Sequence, residues 1–276
     1  MPVVDAHTHV FPPELVAERQ VIASTDGGFR LIYGSGQARM ADGPALLSYM
    51  ENEGIDRAVA AGFPFEDEGL IRAANDYALD LAKTDHRVVP LVVVDPRGGD
   101  GAVAEAERCL AKGARGVGEL AYYEAGFGER QRMGLEGLAR FMEQKDMVLM
   151  LHLNEQVGHD YPGKARIDFA QVASFVQAHP KLKLILAHMG GGICFYEFMP
   201  EIRKAFSNVY YDLAAAPFLY SRELYAFAAR FLTGKVLFGS DYPLLTLARY
   251  KADLEGLGDE TRGKLLHDNA RGLFGA

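Results

Sequence analysis

Eight short apolar runs recur along the chain, and each is followed by a longer stretch with helical spacing of its apolar residues. The runs have the length and β-branched content of strands, whereas the intervening stretches place apolar residues three and four positions apart. The predicted strands are residues 3–10, 57–63, 88–94, 114–120, 147–153, 182–189, 208–213 and 235–240. Eight strand–helix units in about 250 residues match the size of a (β/α)8 TIM barrel, which is the fold we predict.

The length and composition of the chain favour one large core. Of its 276 residues, 49% are hydrophobic, which suits one α/β domain better than two small ones. We therefore predict a single domain over residues 1–276. An open doubly wound sheet is the alternative fold, but it would place a glycine-rich phosphate loop after the first strand. The sequence has no such loop there, so the barrel is favoured.

Residues 14–42 interrupt the alternation, because they are too long for an ordinary connection between a strand and its helix. Gly34-Ser35-Gly36 lies between two short apolar segments, a pattern typical of a hairpin. We predict a small hairpin insertion after the first strand, over the face that carries the active sites of TIM barrels. The hairpin could pack or mediate dimerisation, or it could bring three side chains to a substrate: Arg30, Tyr33 and Arg39.

Ionisable side chains end several of the predicted strands, directly after an apolar run. They are Glu119, His152, His188 and Asp241. The first strand adds His7 and His9, which share a face because alternate residues of a strand point the same way. Any one of these groups could simply satisfy neighbouring backbone atoms. All six together at one barrel mouth would be costly to bury without an ion, so the set predicts a metal site.

Charge and cysteine content exclude several kinds of partner. The net charge of -8 is spread without a basic cluster, which argues against nucleic acid. No apolar segment reaches the ~20 residues that span a bilayer, and the N-terminus lacks a signal pattern, so we expect no membrane contact. The two cysteines, Cys109 and Cys194, lack disulfide or metal spacing, which favours a cytoplasmic protein.

Motifs around the candidate ligands form a set that covers essentially the whole chain. They are Val4-Asp5-Ala6-His7-Thr8-His9, the strand-five His152, Leu186-Ala187-His188-Met189-Gly190-Gly191, Phe238-Gly239-Ser240-Asp241-Tyr242-Pro243 and Asn269-Ala270-Arg271-Gly272-Leu273-Phe274. The set resembles the amidohydrolase superfamily of metal-dependent barrels. It is most similar to the amidohydrolase-related branch, which also contains nonoxidative decarboxylases.

This resemblance implies that His7, His9, His152 and Asp241 bind a divalent ion, with His188 either a second-metal ligand or a nearby acid/base. We expect zinc, because neutral imidazoles and a carboxylate bind it well, although manganese and iron accept the same ligands. The ion would lower the pKa of a bound water toward ~7 and polarise a substrate carbonyl. Asp241 would be both a weak ligand and a proton acceptor.

Glu119 departs from the mononuclear members of the branch, which commonly lack a carboxylate on the fourth strand. It could bridge two ions, as the corresponding carboxylate does in related members with two metals, or it could pair with Arg97 or Arg115. The sequence favours neither alternative, so one ion and two ions are both compatible with it. Asp5, two residues before His7 on the same face, is a candidate to form a hydrogen bond behind the metal ligands, or it could only terminate a strand.

The predicted function is a metal-dependent hydrolase that uses activated water on an ester, lactone or amide-like bond of a small molecule. The alternative is a nonoxidative decarboxylase of a small carboxylic acid, in which His188 or Asp241 handles the proton. An inactive metal-binding protein is disfavoured, because a structural site needs no acid or base. Lys164 and the Tyr122-Tyr123 pair lie in loops that could hold a substrate. The oligomeric state is left open, a homo-oligomer included.

Overall fold

The structure is a computed structural model that describes residues 1–275. Its eight strands are parallel and lie in chain order, each paired with the next. They are β1 (Val4–His9), β2 (Arg57–Ala61), β3 (Val88–Val92), β4 (Gly116–Leu120), β5 (Val148–Leu151), β6 (Lys183–Leu186), β7 (Val209–Asp212) and β8 (Val236–Leu237). All eight predicted strands are present, and each is shorter than predicted.

Backbone hydrogen bonds join the last strand and the residues after it to the first, which closes the sheet. The amide of Ala6 donates to the carbonyl oxygen of Phe238 at 2.8 Å, and the amide of Asp241 donates to that of His7 at 2.9 Å. A parallel sheet closed in this order, with helices between its strands, is a (β/α)8 barrel. The predicted fold is confirmed.

Helices connect the strands and cover the outside of the barrel. They are α1 (Pro13–Ala17), α2 (Arg19–Thr25), α3 (Gly27–Tyr33), α4 (Gly43–Glu53), α5 (Glu68–Thr84), α6 (Asp100–Leu110), α7 (Glu129–Gln144), α8 (Phe169–Ala178), α9 (Pro200–Ala205), α10 (Ala216–Leu219), α11 (Glu223–Phe231), α12 (Lys251–Glu255), α13 (Asp259–Gly263) and α14 (Asn269–Phe274). Asp42, Asp67 and Asp168 precede α4, α5 and α8, and their carboxylates accept hydrogen bonds from amides of the first turn. Such caps satisfy amides that have no partner inside the helix, which fixes where these helices begin.

The segment between β1 and α4 is helical, so the predicted hairpin is wrong. Asp26 begins α3 by accepting a hydrogen bond from the amide of Phe29 at 2.7 Å. Phe29 and Tyr33 lie one helical turn apart, and both rings pack against Phe63, with centroids 5.4 and 5.7 Å away. The segment forms a helix instead of a hairpin because the helix places both aromatic rings on one buried face, and because Asp26 caps its first turn.

The interior of the barrel is a compact apolar core closed by the last helix. It includes Val4, Ala6, Val59, Leu91, Met150, Ile185 and Leu237, together with Ala270, Leu273 and Phe274 of α14. The carbonyl oxygen of Phe274 accepts a hydrogen bond from Arg115, which precedes β4, at 2.6 Å. Because α14 fills the end at which the strands begin, a site can open only at their carboxyl ends.

Candidate metal centre

The structure brings all six predicted ligands together at the carboxyl ends of the strands. They form two groups, His7 with His9 and Asp241, and Glu119 with His152 and His188. Within each group, one ligand atom of every residue lies within 4.8 Å of the others. The groups adjoin, since the Nε2 atom of His7 lies 3.7 Å from the Oε1 atom of Glu119. The convergence predicted from the strand ends is therefore present in the fold.

Asp212, at the end of β7, holds the imidazole of His7 and was missed from the sequence. The Nδ1 atom of His7 donates to Asp212 Oδ2 at 2.9 Å. The other carboxylate oxygen accepts hydrogen bonds from the backbone amides of His188 at 2.8 Å and Ala214 at 3.1 Å. The sequence did contain a signal for Asp212, because it is an acidic residue at the end of an apolar run, as Asp241 is.

Asp5 forms hydrogen bonds behind the ligands, the first of the two alternatives suggested from the sequence, since its carboxylate accepts one from the backbone amide of His7 at 3.3 Å. Its carboxylate accepts hydrogen bonds from the amide of Ser240 at 2.9 Å and the hydroxyl of Tyr49 at 2.8 Å. Burial raises the pKa of Asp5 to about 6 despite these donors. The register of β1 against β2 shifts between Asp5 and Thr8, so strict alternation does not describe this part of the strand.

Two further histidines are oriented by backbone carbonyls. His9 Nδ1 lies 3.1 Å from the carbonyl oxygen of Ala61, and His188 Nδ1 lies 3.0 Å from that of Ala214. A carbonyl can only accept, so these contacts assign the proton to Nδ1 and leave the lone pair of the neutral ring on Nε2. With His7, three imidazoles thus present Nε2 to the centre, as metal-binding histidines do.

The donor set fits a divalent ion. His7 Nε2 and His9 Nε2 face each other at 3.2 Å, and two lone pairs at that distance repel each other unless a metal ion or a proton lies between them. Burial lowers the pKa of His7, but the charges of Asp212 and Glu119 outweigh it and raise that pKa. Asp241 Oδ1 lies 3.3 Å from His9 Nε2. Such separations are those between neighbouring ligands of an ion with bonds of about 2.1 Å.

Glu119 belongs to the second group of ligands and also approaches the first. Its Oε1 atom is 3.0 Å from His152 Nδ1 and 3.3 Å from His188 Nε2, whereas Oε2 is 3.8 Å from His9 Nε2. Burial raises the pKa of Glu119, but the surrounding imidazoles outweigh it and hold that pKa well below its usual value. The second nitrogen of His152, Nε2, is buried without a hydrogen-bond partner among residues 1–275.

The arginines suggested as partners of Glu119 are occupied elsewhere. Arg97 pairs with Asp95 at 2.8 Å, and Arg115 binds the carbonyl oxygen of Phe274. The salt-bridge alternative for Glu119 is therefore wrong. Its carboxylate is instead available to an ion, as the bridging alternative requires.

His188 and Asp241 adopt a backbone conformation that is uncommon for residues with a side chain. Their φ angles are 56° and 62°, in the left-handed region, which costs about 1–2 kcal/mol per residue. Hydrogen bonds hold both: the amide of His188 donates to Asp212 Oδ1 and the amide of Asp241 donates to the carbonyl oxygen of His7. Such conformations persist where the surrounding structure fixes them, often at functional sites.

Aromatic rings from three separate segments lie beside the centre, next to His152. The Tyr123 ring lies 5.2 Å from that of His152 and stacks on Phe63 at 5.8 Å, with 16° between the ring planes. Phe63 also contacts Tyr33 at 5.7 Å. We call Tyr33, Phe63 and Tyr123 the aromatic wall. Of the three side chains suggested in the insertion, Tyr33 alone belongs to it, since Arg30 and Arg39 are exposed.

Two other loop residues suggested as substrate contacts are turned away. The Lys164 ammonium donates to the carbonyl oxygens of Val157 and His159, at 3.0 and 2.8 Å. These hydrogen bonds stabilise the loop that contains Lys164. The Tyr122 hydroxyl is fully buried without a hydrogen-bond partner in the described part of the chain, and its ring packs against Phe127 at 5.7 Å. Of the tyrosine pair, only Tyr123 reaches the centre.

A family model described as Amidohydrolase matches residues 4–276. The chain belongs to the amidohydrolase family. The resemblance stated from the motifs is confirmed, and with it the prediction of an enzyme of this family. None of the curated proteins matches the sequence. In residues 1–275, no helix has both the length and the apolar character needed to cross a membrane.

Solved structures similar to this member of the amidohydrolase family include several decarboxylases. The 5-carboxyvanillate decarboxylase LigW from Sphingomonas paucimobilis is 16% identical, with a TM-score of 0.77 over 99% of this chain and 98% of that one. The 2,6-dihydroxybenzoate decarboxylase from Rhizobium is 17% identical, with a TM-score of 0.70 over 100% and 99%. A 5-carboxyvanillate decarboxylase from Novosphingobium aromaticivorans, complexed with manganese and 4-hydroxy-3-methoxy-5-nitrobenzoic acid, is 15% identical, with a TM-score of 0.76 over 100% and 96%. At such identities the likeness establishes the fold.

Proposed function

We propose that this amidohydrolase-family protein is a divalent-metal-dependent, nonoxidative decarboxylase of a small aromatic carboxylic acid. The observation that carries the proposal is the aromatic wall beside the ligands, where Tyr123 contacts His152. An aryl ring can pack against such side chains while its carboxylate reaches the donor set. The decarboxylases of hydroxylated aromatic acids among the similar structures, one of them with manganese, support the same reaction.

In this decarboxylation some residues would bind the substrate and another would transfer the proton. When bound, a divalent ion would neutralise and orient the substrate carboxylate. The bond from the ring carbon to the carboxylate breaks, carbon dioxide leaves, and the electron pair stays on the ring carbon, which then takes up one proton. His188 is the candidate to hold that proton, because Nδ1 is fixed by the carbonyl oxygen of Ala214 while Nε2 faces the centre. The aromatic wall would exclude water from the ring.

Hydrolysis of an ester, lactone or amide-like bond is the second candidate, and Asp241 favours it. Burial raises the pKa of Asp241, but the hydrogen bond with His9 and the charges of His7 and His188 outweigh it and lower that pKa to about 2. The side chain is 17% exposed, more than that of His9 or Glu119. An ionised, partly accessible carboxylate can accept the proton of an attacking water.

Isotopes separate the two reactions. Manganese- or zinc-loaded protein is incubated with hydroxylated benzoates, and separately with lactones and esters, in water that carries heavy oxygen and heavy hydrogen. We expect release of carbon dioxide from a hydroxylated benzoate, with solvent hydrogen on the ring carbon and no solvent oxygen in the organic product. Solvent oxygen in the product, without carbon dioxide, would instead establish the hydrolase. Protein treated with a chelator is the control, and it should lose the activity.

A further inference from the structure

An apolar patch lies on the surface of the protein, on the connections that follow β6 and β7. We call it the surface patch, and its members are Phe195, Tyr196, Phe198, Met199, Phe227 and Phe231. We propose that this patch is the interface through which two copies of this chain form a symmetric dimer. The proposal concerns the association of two chains, so it does not depend on the proposed decarboxylation.

The rings of the surface patch come from two segments and form one continuous cluster. Phe198 lies 4.8 Å from Phe231, measured between ring centroids, and Phe195 lies 4.8 Å from Phe227. Phe227 and Phe231, four residues apart on α11, are 5.6 Å apart. Because rings from both segments contact one another, their exposed edges form a single apolar surface instead of scattered side chains.

The apolar stripe of α11 is wider than its contact with the barrel. Leu224, Tyr225 and Ala228 are buried and attach the helix to the core. Phe227 and Phe231 continue the stripe beyond this contact, and Phe231 is exposed. An outer helix needs one apolar stripe to bind its core and carries polar residues elsewhere. The extra width therefore indicates that α11 packs against something besides its own barrel.

The area of the surface patch matches what a stable dimer needs. Its five exposed members, all except Phe227, are between 38% and 56% exposed. Since such side chains present roughly 200 Å² each, together they expose about 500 Å² of largely apolar surface. An interface of standard size buries about 800 Å² per subunit, and about 65% of a homodimer interface is apolar. The patch thus supplies the apolar part of one such interface.

The charges beside the surface patch favour a second copy over a lipid surface. The guanidinium of Arg230 lies 5.2 Å from the Phe231 ring centroid, and Glu223 begins the same helix. Glu201 and Arg203 lie on α9, directly after Met199, and all four charged side chains are exposed. A symmetric interface presents the same surface twice, so acids and bases can pair across it. An anionic bilayer would instead select basic residues, and this chain has a net charge of -8.

Sedimentation equilibrium over a range of concentrations tests the proposal. Wild type should associate to twice the 30.2 kDa mass of one chain. Phe198→Glu and Phe231→Glu should each remain monomeric, because the dimer would bury a charge at the interface. Phe231→Ala, a milder change, should raise the dissociation constant of the dimer at least about fivefold, as truncation of an aromatic anchor does.

Met133→Glu is the matched control, since Met133 is an apolar residue of α7 outside the surface patch and is 60% exposed. It should leave the dimer intact. Circular dichroism shows whether each variant folds, and Phe231→Ala decides the case if the glutamate variants do not. Monomeric wild type would overturn the proposal, whether or not the protein then binds anionic lipid vesicles. An assembly that keeps its mass in the folded surface-patch variants, or that Met133→Glu also dissociates, would overturn it too.

Discussion

The Nδ1 atom of His7 donates to Asp212 Oδ2 at 2.9 Å, and solvent reaches neither side chain. This contact fixes the ring that faces His9 and sets the tautomer that leaves Nε2 free for an ion. The carboxylate of Asp212 also accepts the amide of His188. One buried acid thus positions parts of both ligand groups.

The first prediction replaces that acid by its neutral isostere. Asp212→Asn should weaken binding of manganese or zinc by about 10- to 100-fold, because an amide can turn its N–H toward His7 and place the proton on Nε2. Calorimetric titration of chelator-treated protein measures the affinity. Asp146→Asn is the control, since Asp146 is 79% exposed and pairs with Lys183 at the surface. Unchanged affinity in Asp212→Asn would refute the orienting role.

Glu119→Gln tests whether the fourth-strand carboxylate bridges two ions. Its carboxylate approaches both ligand groups, so we expect about two equivalents of metal in wild type and about one in the variant, because a neutral amide bridges poorly. Elemental analysis measures the ratio. A ratio that is the same in both proteins would show that Glu119 does not bridge.

Gly239 provides a steric test of the centre. A Cβ atom added there would lie 2.8 Å from the Cβ of His7 and 3.3 Å from that of Asp212. Gly239→Ala should therefore displace the pair and lower metal content. Gly272→Ala is the matched control, because no atom lies within 4 Å of a Cβ added there. If Gly239→Ala retains wild-type metal content, His7 and Asp212 can accommodate the added methyl group, and the prediction is wrong.

A pH-dependent prediction concerns an ion-pair cluster away from the centre. Arg108 donates to Glu105 at 2.6 Å and to Asp76 at 2.7 Å. Burial raises the pKa of Glu105, but the hydrogen bonds from Arg108 and Asn75 outweigh it and lower that pKa. For Asp76, bonds to Lys112 and Arg108 likewise outweigh burial. A depressed folded-state pKa stabilises the protein above the unfolded-state value, and this stabilisation is lost as pH falls and the carboxylates protonate.

Arg108→Met should therefore lower the free energy of unfolding by about 1–2 kcal/mol at neutral pH, mainly through Glu105, because Asp76 is screened by solvent. The difference in the free energy of unfolding between wild type and Arg108→Met should become smaller as the pH falls through the acid range in which the carboxylates protonate. Urea unfolding at a series of pH values measures it. Arg140→Met is the control, since Arg140 is 63% exposed and lies 3.5 Å from Glu136. A deficit of constant size across the series would contradict the assignment to these ion pairs.

The ligand set could be predicted from the sequence because each ligand lies on or directly after a short apolar run. In a barrel of parallel strands, that position alone brings side chains distant in sequence to one mouth. Asp212 offered the same signal at the end of β7, but its contact with His7 depends on how β1 and β7 are placed in the barrel, which residue spacing does not show.

The insertion shows a different limit of sequence reasoning. Gly34-Ser35-Gly36 suggested a turn, whereas the cap at Asp26 and the four-residue spacing of Phe29 and Tyr33 were the stronger signals. The partnership of Tyr33 with Tyr123 depends on Phe63, from a third segment, and no local pattern encodes it. The choice of zinc, the cytoplasmic location and the oligomeric state stay predictions.

The closure of the barrel between its first and last strands determines when a growing chain can bind metal in a cell. His7 lies on β1 and Asp241 follows β8, yet they share one ligand group, and α14 comes later still. Synthesis proceeds from the N-terminus, so all eight strands must leave the ribosome before these ligands can meet. A chain that stops before Asp241 would hold only part of the donor set. Metal retention would therefore report that the whole barrel has been made and folded, and products truncated before Asp241 should be released without the ion.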